Sequence, residues 1–238
     1  MANGSSIKSE KTEGCICHHV PLVLQEKDWD CGIACSKMVL QYLNASSFEE
    51  DKFASVCKQL GFDTSVWTID IASIFNEYNI DHLMCTQTLG VDHTYETEAF
   101  YQNKSFSYEE KRINTLFKEA ASLGMRIKKR SVDIGEIIKH LKAGNVIIIL
   151  VDSNILEHHD SELTTNSTNE IIRNEGTQNQ YQGHFIVVCG YNLDNEFITY
   201  RDPGCQGMFH SKFDNFDEAR KAHGTDEDIL FIYTETRT

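Results

Sequence analysis

The sequence is short of positive charge. Its 238 residues carry 22 Lys and Arg against 36 Asp and Glu, a formal net charge of −14. Nucleic-acid affinity comes largely from Lys and Arg neutralising phosphates, so this balance argues against nucleic acid, and equally against an anionic membrane, as a partner. The one tight basic run, Arg126 to Arg130, is short and set between apolar residues, which fits a solvated strand face. Long apolar runs are missing too. The longest aliphatic stretch, Val146 to Val151, is far too short to span a bilayer. The opening MANGSSIKSEKTEG lacks the apolar core of a signal peptide. The expected location is therefore cytoplasmic, with the nucleus also open, and the eight cysteines are expected to stay reduced. Asn-x-Ser/Thr triplets at Asn44, Asn103 and Asn166 then carry no weight as glycosylation sites.

What remains is an ordinary globular composition, 40% hydrophobic and 24% charged, long enough to bury a core. Residues 1–19 read as a flexible polar tail, and 20–238 as a single domain. The tail holds Cys15, Cys17, His18 and His19, but no second Cys/His pair follows at finger-like spacing, so adventitious metal affinity is favoured over a structural site. His158 and His159 form another pair in a polar segment and read as solvated rather than ligating.

Asp30 is placed to cap a helix from Cys31 to about Leu43, apolar on nearly every side. Ser47-Phe-Glu-Glu50 and Ser107-Tyr-Glu-Glu110 are capping boxes for helices ending near Leu60 and Leu123. Ile71, Ile74, Phe75 and Tyr78 mark a third helix, and Ile134, Ile137, Ile138 and Leu141 a fifth that stops at Gly144. A short strand is read at His82 to Thr86, then others at Val146–Val151, Phe185–Gly190, Glu196–Tyr200 and Ile229–Tyr233. Helices first and strands later imply an α+β fold, its N-terminal helical half packed on a C-terminal antiparallel sheet. The polar stretch at about 157–182 is too long for a plain connector and reads as a mobile loop.

The chemistry concentrates in two segments. In Gln25-Glu-Lys-Asp-Trp29-Asp30-Cys31-Gly32, a thiol sits at a helix start, where free N–H groups and the helix dipole favour the thiolate. Trp29, Asp30 and Gly32 surround it as candidate substrate contacts, Gly32 by leaving room for approach. In Gly183-His184 to Asp202-Pro203, two extended runs flank an Asn-Leu-Asp-Asn turn. A turn centred on residue 193 puts His184 directly opposite Asp202, on one face of the hairpin. A carboxylate can then fix one imidazole nitrogen while the other faces a thiol. Gly183 joins the candidate substrate contacts. The other cysteines fall in apolar periodic segments or exposed stretches and read as packing or surface residues.

Thiol, imidazole and carboxylate in this chain order form the arrangement of papain-like cysteine enzymes. With Gln25 six residues before Cys31, and Asp202-Pro203 closing the later strand, the pattern resembles bacteriocin-processing C39-type peptidases. That resemblance implies a papain-like peptidase fold, and Gln25 as a donor to the oxyanion. A resemblance over roughly residues 20–235 is to the guanylyl cyclase domain-containing protein 1 family and its plant relatives. It is carried by Trp29-Asp-Cys-Gly-Ile-Ala-Cys35, Ser65-Val-Trp-Thr-Ile-Asp70, Gly183-His-Phe-Ile-Val-Val-Cys-Gly-Tyr191 and Gly224-Thr-Asp-Glu-Asp-Ile-Leu230. That family's name implies conversion of GTP to cyclic GMP, with Mg²⁺ or Mn²⁺. The sequence shows no glycine-rich phosphate loop.

The leading expectation is a hydrolase acting on a peptide or protein substrate, needing no cofactor or metal, with Cys31, His184, Asp202 and Gln25 at its centre. A guanylyl cyclase is the alternative, and a non-catalytic interaction module the third.

Overall fold

The computed structural model describes residues 14–43, 48–62, 65–91, 106–160 and 181–234. Its elements, in chain order, are β1 (Cys15–Cys17), α1 (Cys31–Leu43), α2 (Glu50–Leu60), α3 (Thr68–Glu77), β2 (His82–Thr86), α4 (Phe106–Glu119), β3 (Ile127–Lys129), α5 (Ile134–Lys142), β4 (Val146–Asp152), β5 (His159–Asp160), β6 (Gly183–Asn192), β7 (Phe197–Arg201), β8 (Phe209–Lys212), α6 (Phe213–Arg220) and β9 (Ile229–Ile232). The strands form one sheet in the order β3-β2-β9-β4-β6-β7-β8-β5, antiparallel except for the β2–β3 pair, with β1 added along β6. The α+β class holds.

The sheet is covered on both faces, because its central strands are apolar on alternate residues in both directions. Val146, Ile148, Phe185, Val187, Leu230 and Ile232 pack against α1 and α3. Ile147, Ile149, Ile186, Val188 and Phe231 face the other way, onto Ile137 and Leu141 of α5 and Phe216 and Ala219 of α6. The helical half therefore supplies one layer, and α5 and α6, later in the chain, supply the other.

Local chemistry sets several boundaries. Gly61 ends α2 at φ +77°, a left-handed conformation glycine adopts without a Cβ clash. Asp133 caps α5 by accepting from Glu136 N at 2.8 Å. α2 begins at Glu50 rather than two residues earlier, and Ser47 lies outside the described residues. α4 already begins at Phe106, so position 107 is within the helix and not its cap.

Two expectations about mobile segments change. Residues 1–13 lie outside the described residues, but Cys15–Cys17 pair with Gly190–Asn192 in the slot along β6 beyond the end of β4, so the tail stops short of residue 19. At the other segment, 161–180 lie outside the described residues, whereas β5 is paired to β8 and His158 is buried.

α4 is fastened to α3 by charge. Arg112 grips the buried Asp70 carboxylate with two bonds, 2.6 and 2.9 Å, and also reaches Glu109 at 2.8 Å. Asp70 in turn accepts from Trp67 N at 2.9 Å. Asp70 is 1% exposed, so Arg112→Met strands a buried charge and is expected to cost about 3–5 kcal/mol. Urea unfolding should show that loss, and the double variant with Asp70→Asn should recover much of it.

Candidate active site

Cys31 opens α1, whose first turn lies on β6. One turn on, the Cys35 thiol donates to the Phe185 carbonyl at 3.3 Å, which brings the start of the helix beside His184. Asp30 occupies the cap position, its carbonyl accepting from Ala34 N at 2.9 Å. Its carboxylate does not cap the helix. It turns back to accept the N–H of Lys27 (3.1 Å) and Glu26 (3.3 Å), fixing the loop between Gln25 and the helix. The N–H groups of the first turn are left free to face an anion.

His184 and Asp202 meet, though not through the expected register. The turn between β6 and β7 spans residues 193–196, later than anticipated, with Glu196 at φ +55°. A bulge then breaks the pairing between Val188 and Gly190. Beyond it Val187 faces Arg201, and the same register carried on sets His184 opposite Gly204. Asp202 is the diagonal neighbour, displaced by two. An even displacement preserves the side, and a diagonal neighbour is within reach of long side chains. His184 Nε2 donates to Asp202 Oδ1 at 2.7 Å, and Gly204 N donates to the same oxygen at 2.7 Å.

The electrostatics follow from that contact. Burial by itself would push the His184 imidazole down. The hydrogen bonds to Asp202 and to the Cys31 sulfur, and the charges behind them, more than reverse this and push it up to about 10. With Nε2 committed to Asp202, Nδ1 is the nitrogen left for the thiol. Burial likewise pushes the Asp202 carboxyl up, but the His184 bond and charge and the Gly204 N–H hold it below the usual carboxylate range. Across neutral pH the pair is imidazolium and carboxylate.

The remaining predicted contacts separate. Gln25 is anchored beside the triad by its own N–H on the Pro203 carbonyl, at 2.9 Å. Its side-chain Nε2 donates to Lys27 O at 2.9 Å, while Oε1 is buried without a partner. As placed, Gln25 turns an acceptor toward the site, because its donor is spent on the loop. Gly32 does not leave space for a substrate. A Cβ there would lie 2.8 Å from Ile71 and 3.1 Å from Phe185, so this glycine serves the close packing of α1 on the sheet. Gly183 is similarly covered, by Tyr181, whose hydroxyl would be 2.5 Å from an added Cβ. Trp29 is half-buried under the Lys27 ammonium, 5.1 Å from its ring centre.

Two features escaped the sequence. His158 is buried, not solvated, with Nδ1 3.2 Å from the Tyr200 hydroxyl and 3.7 Å from Asp202 Oδ2. His18 is also tied down, its Nε2 2.9 Å from the Leu141 carbonyl. The second feature is a competing thiol. Burial raises the packed Cys35, Cys57 and Cys85 and, with less cover, the more exposed Cys15 and Cys205. Cys17 instead is held below the usual thiol range by a hydrogen bond from Cys189, assisted by His19 and Arg201. Among the described residues, no three His, Cys, Asp or Glu side chains gather where they could hold a metal ion. No helix among them is long and apolar enough to cross a membrane.

The guanylylate cyclase family model matches residues 20–232, from the approach to Gln25 through to β9. The chain belongs to that family. It is 33% identical over 221 residues to guanylyl cyclase 1 of Arabidopsis thaliana, covering 91% of this chain and 76% of the plant protein. Among solved structures it is similar to a putative C39-like peptidase from Bacillus anthracis, at 15% identity and a TM-score of 0.40 over 94% of this chain and 99% of that one. A score that low adds nothing to what the site itself offers. The family match contains Gln25, Cys31, His184 and Asp202 together.

Proposed function

We propose that this member of the guanylylate cyclase family is a papain-like cysteine hydrolase, acting on an amide or thioester bond in a peptide or protein. The observation that carries this reading is the chain of contacts from the Cys31 thiol, through His184, to a buried Asp202 carboxylate 2.7 Å away. An imidazolium beside a sulfur favours the thiolate, the attacking form. In the reaction the Cys31 sulfur adds to the carbonyl carbon, and the oxyanion is received by the free N–H groups at the start of α1. His184 gives its proton to the leaving nitrogen or sulfur. The neutral imidazole then takes a proton from water, which releases the acyl group and restores the thiolate. Asp202 holds the ring in place throughout and stabilises its charged form. Gln25 joins the oxyanion site only by turning its amide over, which exchanges its bond to Lys27 for one to substrate.

Family membership favours a second reading, guanylyl cyclase activity, which the Arabidopsis relative's name gives for that protein and which here would be conversion of GTP to cyclic GMP with a divalent ion. The described residues offer no carboxylate cluster for that ion. Wild type and Cys31→Ala, assayed with GTP and Mn²⁺, separate the two. The hydrolase reading expects no cyclic GMP from either. Cyclic GMP formed equally by both would refute it. A Cys31 that reacts no better than a free thiol, with no cyclic GMP from either protein, would point to a binding module.

A further inference from the structure

We infer that His158 is a positioning residue of this site, its Nδ1–H bonded to the Tyr200 hydroxyl and its N–H dipole facing the second oxygen of Asp202, so that the carboxylate is supported electrostatically on the side away from His184. The inference rests on the reading of Cys31, His184 and Asp202 as the catalytic centre. It begins with an asymmetry. Oδ1 of Asp202 receives two hydrogen bonds, from His184 Nε2 and Gly204 N, which fix that oxygen but not the rotation of the carboxylate around it. Oδ2 faces His158, whose Nδ1 is 3.7 Å away, a charge–dipole separation rather than a hydrogen bond.

The tautomer of His158 follows from its neighbours. The Tyr200 hydroxyl has one proton and two contacts at 3.2 Å, the Glu157 carbonyl and His158 Nδ1. A carbonyl can only accept, so the proton goes to Glu157, and a hydroxyl lone pair faces Nδ1. The opposite assignment sets oxygen lone pairs together at Glu157 and turns an imidazole lone pair toward a carboxylate. Nδ1 must therefore carry hydrogen. The ring itself stays neutral. Burial lowers His158 first of all, the Asp202 charge opposes this, and the nearby His184 and His159 add to the lowering. A second cation next to the His184 imidazolium would be repelled, whereas an N–H dipole can support the carboxylate without adding charge.

The support is itself held. Asn215 of α6 binds the same segment twice, accepting from Glu157 N at 2.8 Å and donating to the Ile155 carbonyl at 2.9 Å. The His158 ring sits edge-on to Phe209, 5.3 Å between centroids, and to Tyr200 at 5.8 Å. The other titratable groups facing Asp202 are the thiols of Cys35 and Cys205 and the Tyr200 phenol, all raised chiefly by burial and so uncharged at neutral pH. His158 is thus a neutral ring whose N–H, bonded to Tyr200, turns its positive end toward Oδ2 as well, and α6 carries its influence into the site.

The test uses the full chain, labelled with ¹⁵N in histidine and ¹³C in the aspartate carboxyls. In wild type at neutral pH, His158 should be neutral and protonated on Nδ1; the Nε2–H tautomer would overturn the inference. His158→Phe keeps the ring packing and removes the donor. Losing a dipole that favours the charged form raises a carboxyl pKa, so the Asp202 midpoint should move up by a few tenths of a pH unit. His158→Asn returns an N–H near the Nδ1 position and should restore most of that shift. Midpoints for Phe and wild type that coincide would reduce His158 to packing and reject the proposal. If His158→Phe does not fold, the wild-type tautomer and the Asn midpoint decide. Should Asp202 respond as expected while Cys31 alkylation is indifferent to His184→Ala, the catalytic reading has failed and this inference with it.

Discussion

Replacing His184 with alanine should slow alkylation of Cys31 by iodoacetamide at pH 6.5, by at most about a hundredfold. That ceiling is set by the thiolate fraction of an unassisted thiol. A thiol with no cationic partner is about 1% ionised two pH units below its ordinary pKa of about 8.5, and only the thiolate reacts. In the native protein His184 keeps its proton up to about pH 10, so an imidazolium stands beside Cys31 throughout the neutral range. Alanine removes that charge and leaves the helix dipole alone to favour the anion, a smaller effect of about 0.3–1 kcal/mol. The rate must be followed at Cys31 itself, by peptide mapping, because Cys17 also ionises early and is exposed. Bulk labelling would blend the two. The Cys17 rate should be unaffected by the change at His184.

Asp202→Ala should lower the melting temperature by about 10 °C and move the His184 midpoint down from about 10. The direction follows from the balance at His184. Burial is the largest single influence and acts downward; Asp202 supplies most of what opposes it. Without the carboxylate, the ring loses one of its two partners in a site 16% exposed at that side chain, and only the Cys31 sulfur is left to oppose burial. The pair also shapes stability against pH. His184 is raised on folding, so its contribution is complete below about pH 6.5, the unfolded value, and fades as pH climbs toward 10. Asp202 is lowered on folding, so its contribution is complete above about pH 4 and is lost as pH falls through its folded value. Their joint support is greatest between these limits. Melting curves from pH 4 to 10 should show wild type losing stability on the alkaline side, and Asp202→Ala losing much less.

Strong patterns in the sequence produced the elements that position the site. α1 and β2 span the residues their apolar spacing marks, and the stop at Gly61 follows from glycine's freedom at positive φ. What escaped was set by contacts distant in the chain. β1, β5 and β8 are strands of two to four residues, too short to show a period, and exist because β6, β7 and β8 offer them partners. α6 is a short helix of mixed polarity whose formation depends on burying Phe216 and Ala219 against the sheet. The hairpin between His184 and Asp202 was legible as a hairpin but not in register, since a bulge has no dependable sequence mark. The two meet because the displacement is even. Gly32 carried a functional guess in the sequence and a packing role in the fold. His158 carried a bland guess and proved to be buried against Asp202. A buried histidine and a solvated one look alike until the strand that covers it, β8 with Phe209, is in place.

The central claim is that the Cys31 sulfur is activated by His184. Its most direct measurement is the second-order rate of iodoacetamide reaction at Cys31, resolved by mass spectrometry among the eight cysteines, from pH 5 to 10 in wild type and His184→Ala. Through neutral pH the Cys31 rate in wild type should exceed that in the variant, the gap reflecting the imidazolium beside the sulfur. Superimposable curves at Cys31 would contradict the claim.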